Sequence, residues 1–431
     1  MNGRFMQLSD SEIGKAGTNV LRRLTEAGYP AYFVGGCVRD TLLGRALKDI
    51  DIATAARPDE VMRLYPDAIP TGLQHGTVTV VAGGFSFEVT TFRTESEYGD
   101  GRRPDSVSFI DSIEGDLERR DFTMNAMALD ADGRLVDPYG GQDDLAKGIL
   151  RCVGEPSLRF AEDSLRMLRC VRFAAEYELI VDEATWRAVA AGAPSLSRIA
   201  MERVRSELER MVSGAAPFRA LRLLAESGLL SWTKTKLRLP PKLGVSGTDP
   251  DPLAELDRLP EPPLRWALWF DRMKVGAADT RGVIDALRGS KSFGERIERA
   301  VGLFRTLAST PQEHAESAWK SAVLTYGKET ATDWLPAAEQ LRKYEEYRWA
   351  AAYAEHGEKW LGEMAATGLH ELSINGEMLM AALHRRGGPW LSHLLKRLLF
   401  EAAMNRVPNE TQALLKRAAE MTAEEGERRE R

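Results

Sequence analysis

The stretch Phe33-Val34-Gly35-Gly36-Cys37-Val38-Arg39-Asp40, followed by Lys48-Asp49-Ile50-Asp51-Ile52, decides how the rest of the chain is read. An apolar run stops at a Gly pair, a short helical segment follows, and a second apolar run carries two carboxylates. Side chains alternate along a strand, so Asp49 and Asp51 fall on one face while Ile50 and Ile52 face a core. Two carboxylates on one open face repel each other unless cations stand between them. Carboxylates combined with substrate phosphate are the surroundings that Mg²⁺ prefers. Gly35 and Gly36 lack a Cβ, so their backbone N–H groups can come close to a phosphate, and Arg39 adds a positive charge within reach. Taken singly, a Gly-Gly after a strand is most often a turn and an Asp-x-Asp most often a solvated face. Only the combination is informative.

Working outward, composition sets the bounds. A chain of 431 residues holds two to four packed units, and 43% hydrophobic with 28% charged residues describes an ordinary globular protein. No apolar run is long enough to span a bilayer, and Met1 to Glu12 has no apolar signal-peptide core, so a cytoplasmic protein with no membrane partner is expected. Cys37, Cys152 and Cys170 are few, odd in number and scattered, which fits buried small hydrophobes better than disulfides or a zinc site. A net charge of −6 argues against a surface coated with basic residues but leaves room for a local basic face.

Along the chain, Ser9-Asp10-Ser11-Glu12 offers N-cap residues for a helix over Ile13 to Leu24. Ala31 to Val34 and Asp49 to Ala53 read as strands. Thr77 to Ala82 and Phe85 to Phe92, joined by Gly83-Gly84, read as a hairpin. Glu88 on its second arm is either a third acidic residue beside Asp49 and Asp51 or a surface carboxylate paired with Arg93. Thr94 to Ser106, polar and Gly-rich, reads as a mobile loop. After Val153 nearly everything is helical. Helices are expected over Ser157 to Ala175, Asp182 to Ala191, Ser197 to Met211 and Ala216 to Glu226, a linker over Trp232 to Pro252, and a frayed or disordered end from Met421.

Four stretches in order, Gly35 to Asp51, Arg119 to Ala126, Asp137 to Gly141 and Glu162 to Arg172, together resemble the tRNA nucleotidyltransferases (CCA-adding enzymes) of the bacterial–eukaryotic class, within the DNA polymerase β-like nucleotidyltransferases. Bacterial poly(A) polymerases are close relatives. Ile374-Asn375-Gly376, Gly388-Pro389 and Asn405 to Leu415 look like the tail of the Gram-positive-type enzymes. The resemblance implies an α+β protein: a nucleotidyltransferase head with a mixed or antiparallel sheet and flanking helices over residues 1–150, then an all-α neck (151–213), body (214–315) and tail (316–431). It implies that Asp49 and Asp51 bind the metal, two Mg²⁺ ions, and are the catalytic residues. Gly36, Arg39 and Arg120 would contact the nucleotide. Asp163, Arg166, Arg169 and Arg172 would form the recognition helix for CTP and ATP, and the tail would hold tRNA. The oligomeric state stays open, with a homodimer among the options.

The reaction so implied is attack of an RNA 3′-hydroxyl on the α-phosphorus of a nucleoside triphosphate, with pyrophosphate released. Cytosine and adenine present an exocyclic amine donor beside a ring-nitrogen acceptor; uracil and guanine present the reverse. An ionised Asp only accepts and an Arg only donates. Asp163 and Arg166, read as i and i+3 on one helix, can meet one base edge and select C and A. The competing reading of the same pair is an intrahelical salt bridge. On a straight helix Arg172 would lie roughly opposite Asp163, about 13 Å along the axis. Poly(A) addition, restricted CC- or A-addition, and non-catalytic RNA binding on the same scaffold are the alternative functions.

Overall fold

The computed structural model describes residue 8 and residues 11–96, 106–246 and 250–430. The chain forms two compact units, one of Met1–Gly214 with Arg222–Leu237 and the other of Ala215–Leu221 with Arg238–Arg431.

In the first unit, helix α1 (Glu12–Glu26) starts where the Ser11 hydroxyl accepts from the Gly14 N–H at 3.0 Å, and it buries Val20, Leu21 and Leu24. The alternative caps Ser9 and Asp10 lie outside the described residues. Strand β1 (Ala31–Val34), helix α2 (Gly36–Leu42), strand β2 (Asp51–Thr54) and helix α3 (Pro58–Leu64) follow. Then come β3 (Ile69–Gly72), β4 (Thr77–Ala82), β5 (Phe85–Thr91), β6 (Arg93–Ser96), β7 (Ser106–Phe109), α4 (Ile113–Glu118), β8 (Ala128–Leu129) and β9 (Leu135–Val136).

Seven of these strands make one mixed sheet in the order β3-β4-β5-β2-β1-β8-β9. β2 runs parallel to β5, which sets Asp51 directly opposite Glu88; β1 lies antiparallel on the other side of β2. The β4–β5 hairpin turns through Gly83 (φ 59°) and Gly84 (φ 82°), two left-handed residues as a type I′ turn requires. One face of the sheet packs Val34, Ala53, Phe92 and Ala128 against Ile113 and Leu117 of α4. At both ends of the loop expected over Thr94 to Ser106 the described residues are strand. β6 and β7 pair through Thr94↔Ser108 and Ser96↔Ser106, and residues 97–105 lie outside the described residues.

The helices after β9 are α5 (Gly141–Ala146), α6 (Pro156–Glu162), α7 (Leu165–Glu176), α8 (Glu183–Gly192) and α9 (Met201–Ser213). The single helix expected over Ser157 to Ala175 is therefore two. Asp163 is extended (φ −138°, ψ 100°), and its carboxylate accepts from the Leu165 N–H at 3.1 Å. The Ser164 hydroxyl bonds the Phe160 carbonyl (3.1 Å) and the Ser195 hydroxyl (2.7 Å). Asp and Ser thus divert the backbone from its helical ladder, which is why they are weak helix formers.

The second unit is helical. Pro262–Arg272, Lys291–Ala308, Ala315–Tyr326, Lys328–Leu341 and Ala351–Gly362 enclose an aromatic core in which Trp334 stacks on Trp349 at 5.8 Å and Phe304 meets Trp334 edge-on. The stretch expected as a linker is irregular but packed: Leu243 is buried and its carbonyl accepts from the Trp269 indole at 3.0 Å. In the last segment Asn375 caps Gly376–Ala382, Pro389 opens Pro389–Ala403, and the Asn409 amide bonds the Ala365 and Glu371 carbonyls. The final helix, Thr411–Glu430, runs through the segment expected from Met421 to be frayed or disordered. Met421 is 2% exposed in the core built on Leu398, Leu399 and Leu414, and Arg417 pairs with Glu401, Glu420 and Glu424. Buried contact outweighs the polar composition of that helix. Among the described residues no helix is long and apolar enough to cross a membrane.

Candidate active site

A cavity of about 580 Å³ opens in the first unit between the end of the sheet and helices α7 and α9. Its wall takes Gly35, Gly36 and Arg39 from the β1–α2 bend, Asp49 and Asp51 from the entry to β2, and Arg119 and Arg120 from the end of α4. Asp163, Arg166, Arg169 and Arg172 line the opposite part. All nine residues singled out from the sequence, Gly36 to Arg172, therefore meet around one space. Its arginines give it the charge of an anion site, with carboxylates interspersed.

The bend sits where glycine is needed. Gly35 has φ 70°, and a Cβ there would stand 2.9 Å from the Arg120 guanidinium, so only glycine admits that approach without strain. Arg39, 6% exposed, is held from three sides. It donates to Asp40 (2.9 and 3.1 Å) and to the Asn125 side-chain oxygen (2.6 Å), and its guanidinium stacks over Tyr177 at 4.3 Å. Burial, partly offset by Arg39, pushes the Tyr177 hydroxyl up to about 12.

Behind the wall, fully buried Asp116 holds both Arg119 (2.8 Å) and Arg120 (3.2 Å). Burial works to raise its carboxyl, but the two guanidiniums outweigh burial and lower it. Asp121 plays the same part for α7. It accepts from Arg169 (2.7 Å), the Asn125 amide (3.0 Å) and the Phe122 N–H (2.9 Å). Burial opposes ionisation there too, yet Arg169 first and Asn125 next bring the carboxyl down to about 2. Asn125 thus bridges Arg39 on one wall to Asp121 and Arg169 on the other. Arg172 is buried against Glu207 (2.7 Å) and Glu176 (2.9 Å) and lies over the Phe173 ring at 4.0 Å.

The pair expected to read the base differs from its sequence reading. Asp163 and Arg166 are not i and i+3 of one helix, because the chain breaks between α6 and α7 at Asp163 and Ser164. Nor do they form the intrahelical salt bridge. Arg166 binds Glu162 (2.6 Å) and the Arg159 and Arg119 carbonyls (3.1 and 2.9 Å), while Asp163 is gripped by Arg203 of α9 (2.8 and 3.2 Å). With the helix broken there, the straight-helix premise for placing Arg172 relative to Asp163 does not hold, and both residues line the cavity. Sequence reasoning passed over Asp121, Asn125, Phe173, Arg203 and Arg210. The first two stand four residues apart in a stretch already recognised as a motif, so their spacing was a usable signal. Nothing in the spacing ties Arg203 to a carboxylate forty residues upstream.

Asp49 and Asp51 are exposed toward the cavity while Ile50 and Ile52 are buried, as alternation requires, although the strand itself starts only at Asp51. Glu88 faces Asp51 across the β2–β5 ladder. The surrounding walls desolvate the Asp51 carboxyl and push it up; Glu88 and Asp49 add to this, and Arg120 works against it. The site thus carries more negative charge than its arginine neutralises, and its oxygen donors suit a hard divalent cation. Among the described residues no three His, Cys, Asp or Glu side chains converge as a metal cage, so two carboxylates with ligands from the substrate are the fitting donor set.

The chain matches the model of the Poly A polymerase head domain over residues 31–151, the probable RNA and SrmB-binding site of polymerase A over 178–233, and a putative tRNA nucleotidyltransferase domain 2 over 259–418. It is 39% identical to the CCA-adding enzyme of Geobacillus sp. (strain WCH70) over 383 residues, which cover 87% of this chain and 89% of that protein. The chain belongs to the CCA-adding enzyme family. The CCA-adding enzyme of Geobacillus thermodenitrificans is 37% identical, with 92% of this chain and 94% of that protein covered. The crystal structure of the Bacillus stearothermophilus CCA-adding enzyme in complex with CTP is similar at a TM-score of 0.78 and 31% identity, over 99% of this chain and 100% of that one. The Thermotoga maritima CCA-adding enzyme complexed with tRNA, at 21% identity and a TM-score of 0.64, shares the fold. CCA-adding enzymes are tRNA nucleotidyltransferases, a class that generally works with divalent metal ions.

Proposed function

We propose that this chain adds C-C-A to the 3′ end of tRNA in the cytoplasm, without a nucleic acid template, using CTP and ATP and releasing pyrophosphate. The observation that carries the reading is one cavity lined by Asp49 and Asp51, by Arg39 and Arg120, and by Asp163 and Arg166. In this reading residues 1–150 are the head, 151–213 the neck, 214–315 the body and 316–431 the tail that holds tRNA.

Asp49 and Asp51 would hold divalent ions, two Mg²⁺, with the remaining ligands supplied by the substrate, and Glu88 faces Asp51 across the ladder. Bound there, the metal lowers the pKa of the attacking 3′-hydroxyl and neutralises charge on the leaving pyrophosphate. Arg39, fixed by Asp40, and Arg120, fixed by the Asp116 it shares with Arg119, receive the triphosphate beside the Gly35–Gly36 backbone. Because both guanidiniums are oriented before substrate arrives, little reorganisation is needed when charge develops. Asp163 accepts the exocyclic amine of cytosine or adenine, and Arg166 donates to the adjacent ring nitrogen. Uracil and guanine meet a carbonyl against a carboxylate and are refused by about 1–3 kcal/mol per mismatched pair. Arg169 and Arg172 set the frame of α7 by their bonds to Asp121 and Glu207.

The test is incorporation of each of the four nucleotides by Asp163→Ala onto tRNA lacking its 3′ end. Loss of the acceptor lowers the ratio of kcat/KM for CTP over UTP by about tenfold or more. An unchanged ratio with activity intact removes base reading from Asp163. Poly(A) addition is the second reading, favoured by the match to a poly(A) polymerase head.

A further inference from the structure

Asp163 has to present an oxygen to the base, so the use already made of its oxygens matters. An ionised carboxylate offers about four lone-pair sites, two on each oxygen. Oδ1 takes the Leu165 N–H at 3.1 Å and Arg203 Nη1 at 3.2 Å, which fills it. Among the described residues Oδ2 takes Arg203 Nη2 at 2.8 Å and no second donor, which leaves one site. Arg203 stands on α9, a different element from Asp163, and is outside the cavity lining. Its two nitrogens grip both oxygens in the fork geometry that fixes a carboxylate plane. Asp163 sits in the break between α6 and α7, where its φ and ψ leave the helix although its N–H still reaches the Arg159 carbonyl at 3.4 Å, so the fork is what fixes its side chain.

From this geometry we infer that Arg203 is a specificity-determining positioning residue: it turns the Asp163 carboxylate so that one free acceptor site, on Oδ2, faces the base. The inference rests on the base-reading role proposed for Asp163. Without the fork the carboxylate rotates about its Cβ–Cγ bond. The acceptor then no longer sits at a fixed distance from the donor that Arg166 supplies, and cytosine loses its advantage over uracil. Arg203 does this through Asp163 and without touching the nucleotide.

The experiment compares wild type with Arg203→Met, Arg203→Lys and Asp163→Ala, measuring kcat/KM for CTP and UTP on tRNA lacking its 3′ end, and thermal unfolding of each. Arg203 and Asp163 side chains are 24% and 15% exposed, so the substitutions do not empty a closed core. Arg203→Met lowers the CTP/UTP ratio by about fivefold to tenfold, in the direction of Asp163→Ala, with a melting temperature near wild type. Arg203→Lys, which keeps the charge but not the fork, recovers part of the ratio. A ratio within twofold of wild type in both Arg203 variants, while Asp163→Ala falls, overturns the inference and leaves the reading of Asp163 standing. An unchanged ratio in Asp163→Ala overturns that reading and the inference with it. A ratio raised above wild type by Arg203→Met means that Arg203 competes with the base for Asp163, and it too overturns the inference.

Discussion

Asp121→Asn tests the idea that the cavity wall is held by ion pairs buried behind it. The amide is isosteric with the carboxylate but turns a donor or a weaker acceptor toward Arg169, which sits 2.7 Å away. The Asp121 carboxyl is held at about 2 against an ordinary 3.8, with Arg169 and Asn125 prevailing over burial. At ~1.36 kcal/mol per pKa unit that gap is worth about 2 kcal/mol. Because the folded value is depressed, this stabilisation is complete above pH 3.8 and is lost as pH falls through about 2. At pH 7.5 the wild type has all of it and the variant none. Arg169 keeps 30% of its side-chain surface in solvent, so water takes over part of the lost bond. The cost therefore stays near ~2 kcal/mol, below the ~3–5 kcal/mol of a fully buried orphaned charge. Thiol labelling reads this unit alone, because buried Cys37, Cys152 and Cys170 all belong to it. Burial pushes Cys37 and Cys152 up to about 12, so native thiols react only when the unit opens. Labelling at pH 7.5 should be about 30-fold faster in Asp121→Asn. A rate within twofold of wild type would refute the wall as described.

Asp49→Ala and Asp51→Ala should each abolish nucleotide transfer while tRNA retention on a filter persists, and Glu88→Ala should lower transfer by about tenfold. Appreciable Mg²⁺-dependent turnover in either Asp variant removes that residue from the metal site, and a wild-type rate in Glu88→Ala confines it to the two aspartates. Gly35→Ala and Gly44→Ala place the same residue at φ 70° and 69°, but only at Gly35 would the new Cβ meet the Arg120 guanidinium. Both should lose about 1 kcal/mol of stability, and only Gly35→Ala should raise KM for CTP; equal kinetic effects would show that backbone strain alone is responsible.

Local rules carried the sheet a long way. Alternation at Asp49 to Ile52, the turn glycines at Gly83 and Gly84 and the Gly35–Gly36 bend all follow from short-range sterics, which a sequence displays directly. The parallel pairing that sets Glu88 opposite Asp51 joins strands some thirty-five residues apart, and no pattern within either strand reports it. The break at Asp163 escaped notice because the flanking residues are good helix formers and no Gly or Pro marks it. It depends on the Ser164–Ser195 contact and the Arg203 fork, both supplied by distant chain. The same holds for Glu207 under Arg172. Charged spacing along a helix names the arginines; what each one grips is decided by tertiary structure.

The claim that matters most is full C-C-A addition, and product length reads it directly. tRNA lacking its 3′ end is given CTP alone, ATP alone, or both with Mg²⁺, and the extended RNA is sized at single-nucleotide resolution. The account predicts a two-nucleotide C-C extension with CTP alone and a three-nucleotide C-C-A extension, with no further growth, when both are present. A stop after C-C with both nucleotides, or long A tracts with ATP, would contradict it.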